Sequence, residues 1–316
     1  MAPAPADEEH VDLITLRDWL RFAVSAFTKA RLVYGHGTES ALDDAAFLIL
    51  TALHLPVDEL EPWLDCRLTR TERSIVHNLI KARIATRKPA PYLTNSAWIQ
   101  GRKFYVDERV IVPRSFIGEL LCRDGLAGVV ANPARVSRVL ELCTGSGCLA
   151  ILAAEAFPDA TIDASDISAD ALDVARRNVS DYGLEARVRL IEADLFEGLS
   201  QEPYDLIVVN PPYVTAEAVR AFPPEYKAEP QLAHLGGTDG LDLVNRILAG
   251  AAAFLKPDGA LIVEIGQARP ALEAARPDLS FLWLDTEASE GEVFALQAAD
   301  MSAAQAPRYT VKAPRK

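Results

Sequence analysis

RVLELCTGSGCLAI (138–151) runs an apolar stretch of strand length through two closely spaced glycines into an apolar stretch of helical character. The G-x-G-x-x-A spacing of Gly145, Gly147 and Ala150, set between a strand and a helix, lets backbone amides come close to a ligand. Working outward, CLAILAAEAF (148–157), TIDASDI (161–167), ALDVARRNVSDYGL (171–184), RVRLIEAD (187–194) and YDLIVVN (204–210) alternate helical with strand periods. That alternation predicts an α/β fold built on a doubly wound parallel sheet. Further on, LDLVNRILAGAAAFL (241–255) reads as an amphipathic helix stopped by Lys256-Pro257-Asp258-Gly259, and ALIVEIG (260–266) as a buried strand. LSFLWLD (279–285) and EVFALQA (292–298) flank an acidic turn and read as strands at the sheet edge.

The region before the sheet has a different character. From residue 15 to about 87 the apolar spacing is helical, with Leu16, Trp19, Leu20, Ala23 and Phe27 on one stripe, and the prolines of RKPAPYL (87–93) end it. SAWIQGRKFYVDERVIVPRS (96–115), β-branched and aromatic around Gly101, predicts a short hairpin linker. The expected organisation is a helical domain over 1–94 with disordered first residues, a β-hairpin linker over 95–114, the α/β domain over 115–300 and a disordered tail over 301–316.

The 316 residues are 50% hydrophobic and 24% charged, as in ordinary globular proteins. A net charge of -13 opposes a DNA interface, whose affinity comes from neutralising phosphates, and favours a basic protein partner. No apolar run is long enough for a membrane span and the start, MAPAPADEEH, lacks the regions of a signal peptide, so a cytoplasmic protein with no membrane partner is expected. Cys66, Cys122, Cys143 and Cys148 form no CxxC pair, and the five histidines are dispersed. Reduced packing thiols and no metal site are expected.

VVNPPYV (208–214) ends a buried strand, because two prolines cannot continue a hydrogen-bonded ladder. An Asn amide, rigid carbonyls and an aromatic face remain at its carboxyl tip, where open α/β sheets bind ligands. Asp166 ends the second strand of the sheet about 20 residues after Gly145, where a carboxylate accepts ribose hydroxyls. Asp194 and Leu195 end the third, where a carboxylate and a backbone amide can bracket an adenine edge. Each has a plainer alternative, a helix cap for Asp166 and a solvated turn for Asp194. Glu141 ahead of the glycines repels a pyrophosphate and attracts an ammonium or sulfonium group, so a cationic cofactor fits better than a nicotinamide or flavin.

ELCTGSG, DASDIS, EADLF and NPPYV together resemble the class I methyltransferases that use S-adenosylmethionine. FYVDERVIVPRS, NPPYV and PPEYKAEPQLAHLGGTDGLDLVNRIL are similar to the protein glutamine methyltransferases, over residues 87 to about 267. CTGSGC, VPRS and EYKAEP look most like the branch acting on 50S ribosomal protein L3 (uL3), with the release-factor branch as the alternative. The resemblance implies a Rossmann-like methyltransferase sheet behind a small helical domain. It also implies a cofactor site at Glu141, Gly145, Gly147, Asp166, Asp194, Leu195 and Asn210.

In such a site, Asn210 and Pro211 would each accept one hydrogen of the substrate carboxamide and Tyr213 would wall its flat face, which makes these three the catalytic candidates. Pro212 and Arg114 join them as substrate-binding candidates, although Arg114 is equally readable as one half of a salt bridge. Glu225, Glu229 and Asp239 either meet a basic partner or solvate a loop. An adenine-specific DNA methyltransferase, which shares the Asn-Pro-Pro-aromatic chemistry, and an inactive ribosome-binding scaffold remain as alternatives of other classes.

Overall fold

The computed structural model describes residues 12–124, 126–130 and 132–305. The chain divides into two compact units, one of residues 1–114 with 220–231 and one of residues 115–219 with 232–316.

The first unit is mainly helical, with α1 (Leu16–Ala30), α2 (Ala41–Ala52), α3 (Arg70–Thr86) and the short α4 (Ala90–Thr94). Thr15 with Asp18, and Thr69 with Glu72, form capping boxes that satisfy orphan amides at the starts of α1 and α3. Leu16, Trp19, Leu20, Ala23 and Phe27 are the buried stripe of α1, as their spacing predicts, and they share a core with Leu48, Ile49, Val76 and Ile80. The chain turns once more into helix at α4, which starts after Pro89 and carries Pro91 in its first turn, so the prolines read as the end of the helical pattern instead open a last short helix. β1 (Ala97–Ile99) and β2 (Arg102–Phe104) then pair antiparallel around Gln100 and Gly101, both at positive φ, as a tight two-residue hairpin requires.

Residues 220–231 complete this unit and correct one expectation. Glu225 and Glu229 neither solvate a loop nor wait for a partner, since both are buried. Glu225 accepts the Val33 amide at 3.1 Å and pairs with Arg87 at 2.6 Å. Glu229 accepts the Val112 amide at 2.8 Å and holds both arms of Arg114, at 2.7 and 2.8 Å.

The second unit is a seven-stranded sheet of β3 (Arg138–Leu142), β4 (Thr161–Asp166), β5 (Val188–Glu192), β6 (Tyr204–Val209), β7 (Leu255–Glu264), β8 (Leu282–Leu284) and β9 (Val293–Gln297), in the order β5-β4-β3-β6-β7-β9-β8. The first five strands in that order run parallel, while β9 is antiparallel to β7 and β8 antiparallel to β9. One face is built by alternate residues of the strands, Leu140, Leu142, Ile207, Val209, Leu261 and Val263. It packs on Val244, Ile247 and Leu248 of α9 (Asp242–Gly250), Leu272 of α10 (Arg269–Ala275) and Met301 of α11 (Ala298–Gln305). α5 (Ile117–Asp124), α6 (Cys148–Ala156) and α7 (Ala169–Asp181) supply the other face, and α8 (Ala216–Ala221) follows the turn after β6.

α11 continues to Gln305, past Met301 where the tail is expected to begin, because Met301 is drawn into the core. The expected disorder of the first residues and of 306–316 lies outside the described residues. Among the described residues no helix is long and apolar enough to cross a membrane.

Candidate active site

Strand order reverses between β3 and β6, since β4 and β5 lie to one side of β3 and β6 and β7 to the other. Crevices at such reversals are where open α/β sheets hold ligands. Register lines up the tips. Leu142 pairs with Ser165 on one side and Val209 on the other, and Val209 pairs with Val263. One residue further, Asp166, Cys143, Asn210 and Glu264 therefore stand in a row at the carboxyl ends of four neighbouring strands.

The glycine loop sits at the end of β3. Gly145 and Gly147 take φ of 55° and 79°, which Ala would resist, and Ala175 lies 3.2 Å from where a Gly147 Cβ would be. A Cβ on Gly145 would meet nothing within 4 Å, so that turn opens onto free space a ligand can enter. Asp166 closes the loop from the next strand by accepting the Gly145 amide at 2.9 Å and the Ser168 amide at 2.9 Å. The cap of α7 is Ser168 itself, so the alternative reading of Asp166 as that cap is set aside. Burial raises the Asp166 carboxyl above the ordinary carboxylate range against the pull of these amides.

Glu141 is buried beneath the loop, where its Oε2 accepts the Thr144 hydroxyl at 2.5 Å. Burial pushes it up to about 8, partly offset by that hydroxyl and by the Ala150 amide, with the nearby Asp166 charge adding a smaller upward push. Burial likewise pushes the Cys143 thiol up, and the Cys148 thiol up to about 12, so both are packing thiols at neutral pH. At the tip of β5, Leu195 is buried with φ 53°, and Asp194 is paired with Arg246 of α9 at 2.9 Å. Asp194 also stays partly exposed in a turn that the Glu197 amide closes on its carbonyl at 3.1 Å.

The NPPY turn is stiff for reasons beyond its prolines. The Val214 amide donates to His234 at 2.9 Å and the Gly236 amide to Val214 at 2.9 Å, so a returning segment lies alongside the turn. A Cβ at Gly236 would be 2.7 Å from Tyr213 Cα and 2.8 Å from the Pro212 carbonyl. Pro211 is buried and Pro212 half-buried. Among the described residues, no hydrogen bond engages the half-buried side-chain amide of Asn210. The Tyr213 hydroxyl donates to Glu264 at 3.2 Å. Arg114 belongs to the first unit, where Glu229 holds it as half of an ion pair.

Glu264, Arg246 and the Gly236–Gly240 return were missed in the sequence. The strand-tip argument that selects Asp166 selects the Glu of ALIVEIG equally well. LGGTDG (235–240) carries three glycines whose partners only the folded chain displays. Asp239 turns out to receive the Leu241 amide at 3.0 Å, an ordinary turn bond.

The chemistry of this set suits a cationic ligand. Glu141 and Asp166 flank an open glycine turn, and the Gly145 amide meets a carboxylate rather than a phosphate.

A family model described as a methyltransferase small domain matches residues 126–222. A ribosomal protein uL3 glutamine methyltransferase from Bradyrhizobium diazoefficiens is 54% identical over 305 residues, which are 95% of this chain and 96% of that protein. One of the same description from Neisseria meningitidis serogroup A is 56% identical over 285 residues, 90% of this chain and 93% of the relative. Among solved structures, the hMettl16 catalytic domain, in complex with a MAT2A 3'UTR hairpin, superposes with a TM-score of 0.50 at 15% identity, over 81% of this chain and 91% of that one, a likeness of fold alone. With identity above one half across nearly the whole length of both sequences, the chain belongs to the family of the ribosomal protein uL3 glutamine methyltransferases.

Proposed function

We propose that this chain transfers a methyl group from S-adenosylmethionine to the side-chain amide nitrogen of a glutamine in ribosomal protein uL3. The observation that carries the reading is the placement of Asn210 and Pro211 one strand away from the glycine loop, at the reversal of strand order. Family membership supports the substrate. It also makes the cytoplasm, where ribosomal proteins are synthesised, the expected place of action.

Glu141, Asp166, the open turn at Gly145 and Gly147, Asp194 and Leu195 would hold the cofactor, together with Asn210. When bound, S-adenosylmethionine supplies an electrophilic methyl group on a positively charged sulfur. The chain's own task is orientation. An amide nitrogen is a poor nucleophile, because its lone pair is shared with the carbonyl. Asn210 Oδ1 and the Pro211 carbonyl each accept one hydrogen of the glutamine NH2, which fixes both donors and turns the nitrogen toward the cofactor side. Orientation of this kind is worth on the order of 7–11 kcal/mol of barrier.

The two acceptors also favour the positive charge that develops on nitrogen, and the proton leaves to solvent afterwards, so no dedicated base is required. Pro212 stiffens the turn, and Tyr213 walls the amide plane. Incubation with radiolabelled S-adenosylmethionine and unmodified uL3, a release factor or DNA tests the reading. Label on a uL3 glutamine is expected. Label only on the release factor would move the chain to the sister activity, and label only on DNA would end the proposal.

A further inference from the structure

Glu264 closes β7 almost without exposure, and the reaction outlined above makes no use of it. Its Oε2 accepts the Ser115 hydroxyl at 2.6 Å and the Phe116 amide at 2.9 Å, and the Ile117 amide also faces it. Its Oε1 accepts the Tyr213 hydroxyl. The groups facing it are thus two amides and a hydroxyl at the start of α5 and the phenol of the clamp turn. Gly266, two residues on, lies directly under the Tyr213 ring, where a Cβ would be 2.7 Å from ring carbon Cε2. A Cβ at Gly240 would be 2.4 Å from the Tyr213 carbonyl. Tyr213 is therefore gripped at its hydroxyl, its ring and its backbone.

A buried carboxylate with three or four donors and no cation is a costly arrangement to keep. This one accepts the hydroxyl of the ring that walls the amide in the reaction proposed above. A phenol that donates to a carboxylate also keeps more electron density on its ring, and the negative face of an aromatic ring attracts positive charge. We propose that Glu264 is a positioning residue for methyl transfer, which by accepting the Tyr213 hydroxyl sets the aromatic wall of the clamp and keeps it electron-rich toward the amide nitrogen. The inference rests on the function proposed above.

A double-mutant cycle on kcat tests it, with KM for uL3 and cofactor Kd measured in parallel. E264L is expected to lower kcat about 10- to 100-fold, the loss of a hydrogen bond to a charged group. E264Q, which keeps an acceptor, should recover most of that loss, and Y213F should match E264L. Because both act through one bond, E264L placed on Y213F should cost less than about twofold more, whereas independent sites would multiply. Cofactor Kd should stay within about twofold throughout. Multiplying losses, or a loss confined to cofactor Kd, would overturn the proposal.

Should E264L fail to fold, a pH titration of the Tyr213 13Cζ resonance decides. A midpoint at about 7, set by Glu264 and absent in E264Q, is expected, and its absence in the wild type would refute the coupling. The titration needs no methyl transfer. A wild-type chain that leaves uL3 unmodified would therefore sink the function and still leave the Tyr213–Glu264 link to be judged on its own signal.

Discussion

The chain buries carboxylates in two ways. In residues 220–231, Glu225 and Glu229 are each met by an arginine, Arg87 and Arg114, and by a backbone amide. At the strand tips of the α/β unit, Glu141, Asp166 and Glu264 are met by hydroxyls and amides, and burial raises the carboxyl of all three. The difference separates two uses of one chemistry. An acid paired with arginine has its charge answered within the protein and serves the fold. An acid answered by neutral donors alone has its charge unanswered, so burial raises it toward the neutral form, and a cationic ligand can draw out the ionised form or a catalytic ring can lean on it.

The largest effect expected from the tip group is in catalysis. Asn210→Ala removes one of two acceptors on the reacting amide and should lower kcat by roughly 10²–10³-fold while cofactor affinity, measured by calorimetry, holds. Equal turnover of variant and wild type would break the positioning argument. In the arginine-paired group the effect should fall on stability instead. Glu229→Ala removes the carboxylate that holds both arms of the half-buried Arg114 and leaves the Val112 amide without its acceptor, so denaturant unfolding should show a loss of about 3 kcal/mol. A variant as stable as the wild type would erase the contrast between the two groups.

Two further measurements sharpen the tip group. Asp166→Ala should weaken cofactor binding about 10- to 100-fold before it touches turnover at saturation, because its oxygens hold the Gly145 amide of the loop and the Ser168 amide at the start of α7. The reverse order, turnover lost first, would assign it to the substrate side. The smallest effect is a pH dependence. In the free protein, Glu141 is protonated below about 8, and a bound cation favours the ionised form. Cofactor affinity should therefore rise with pH up to about 8 and then level. The gain between pH 7 and 8 should be at most about tenfold, absent in Glu141→Gln and weaker for neutral S-adenosylhomocysteine. A flat profile for the wild type would mean that Glu141 does not sense the ligand's charge.

Local chemistry explains what could be read directly. Two prolines stop the ladder after Val209, glycines at 145 and 147 allow a turn other residues resist, and Asp166 ends a strand of clear period. Each of these depends on residues within a few positions of itself. The remainder depends on distant partners. Ser115 reaches Glu264 across 149 positions and Val112 reaches Glu229 across 117, separations over which no pattern in a single sequence reports a contact. Arg114 and Glu229 each stand out in the sequence, but nothing in their spacing pairs them.

By itself the sequence determined where strands end, which turns need glycine and which polar groups therefore gather at one end of a sheet, because backbone sterics and hydrogen bonding act locally. Only the tertiary structure decided which buried acids receive an arginine and which are left with neutral donors. That choice is made by groups far apart along the chain that meet only when the core has closed around them.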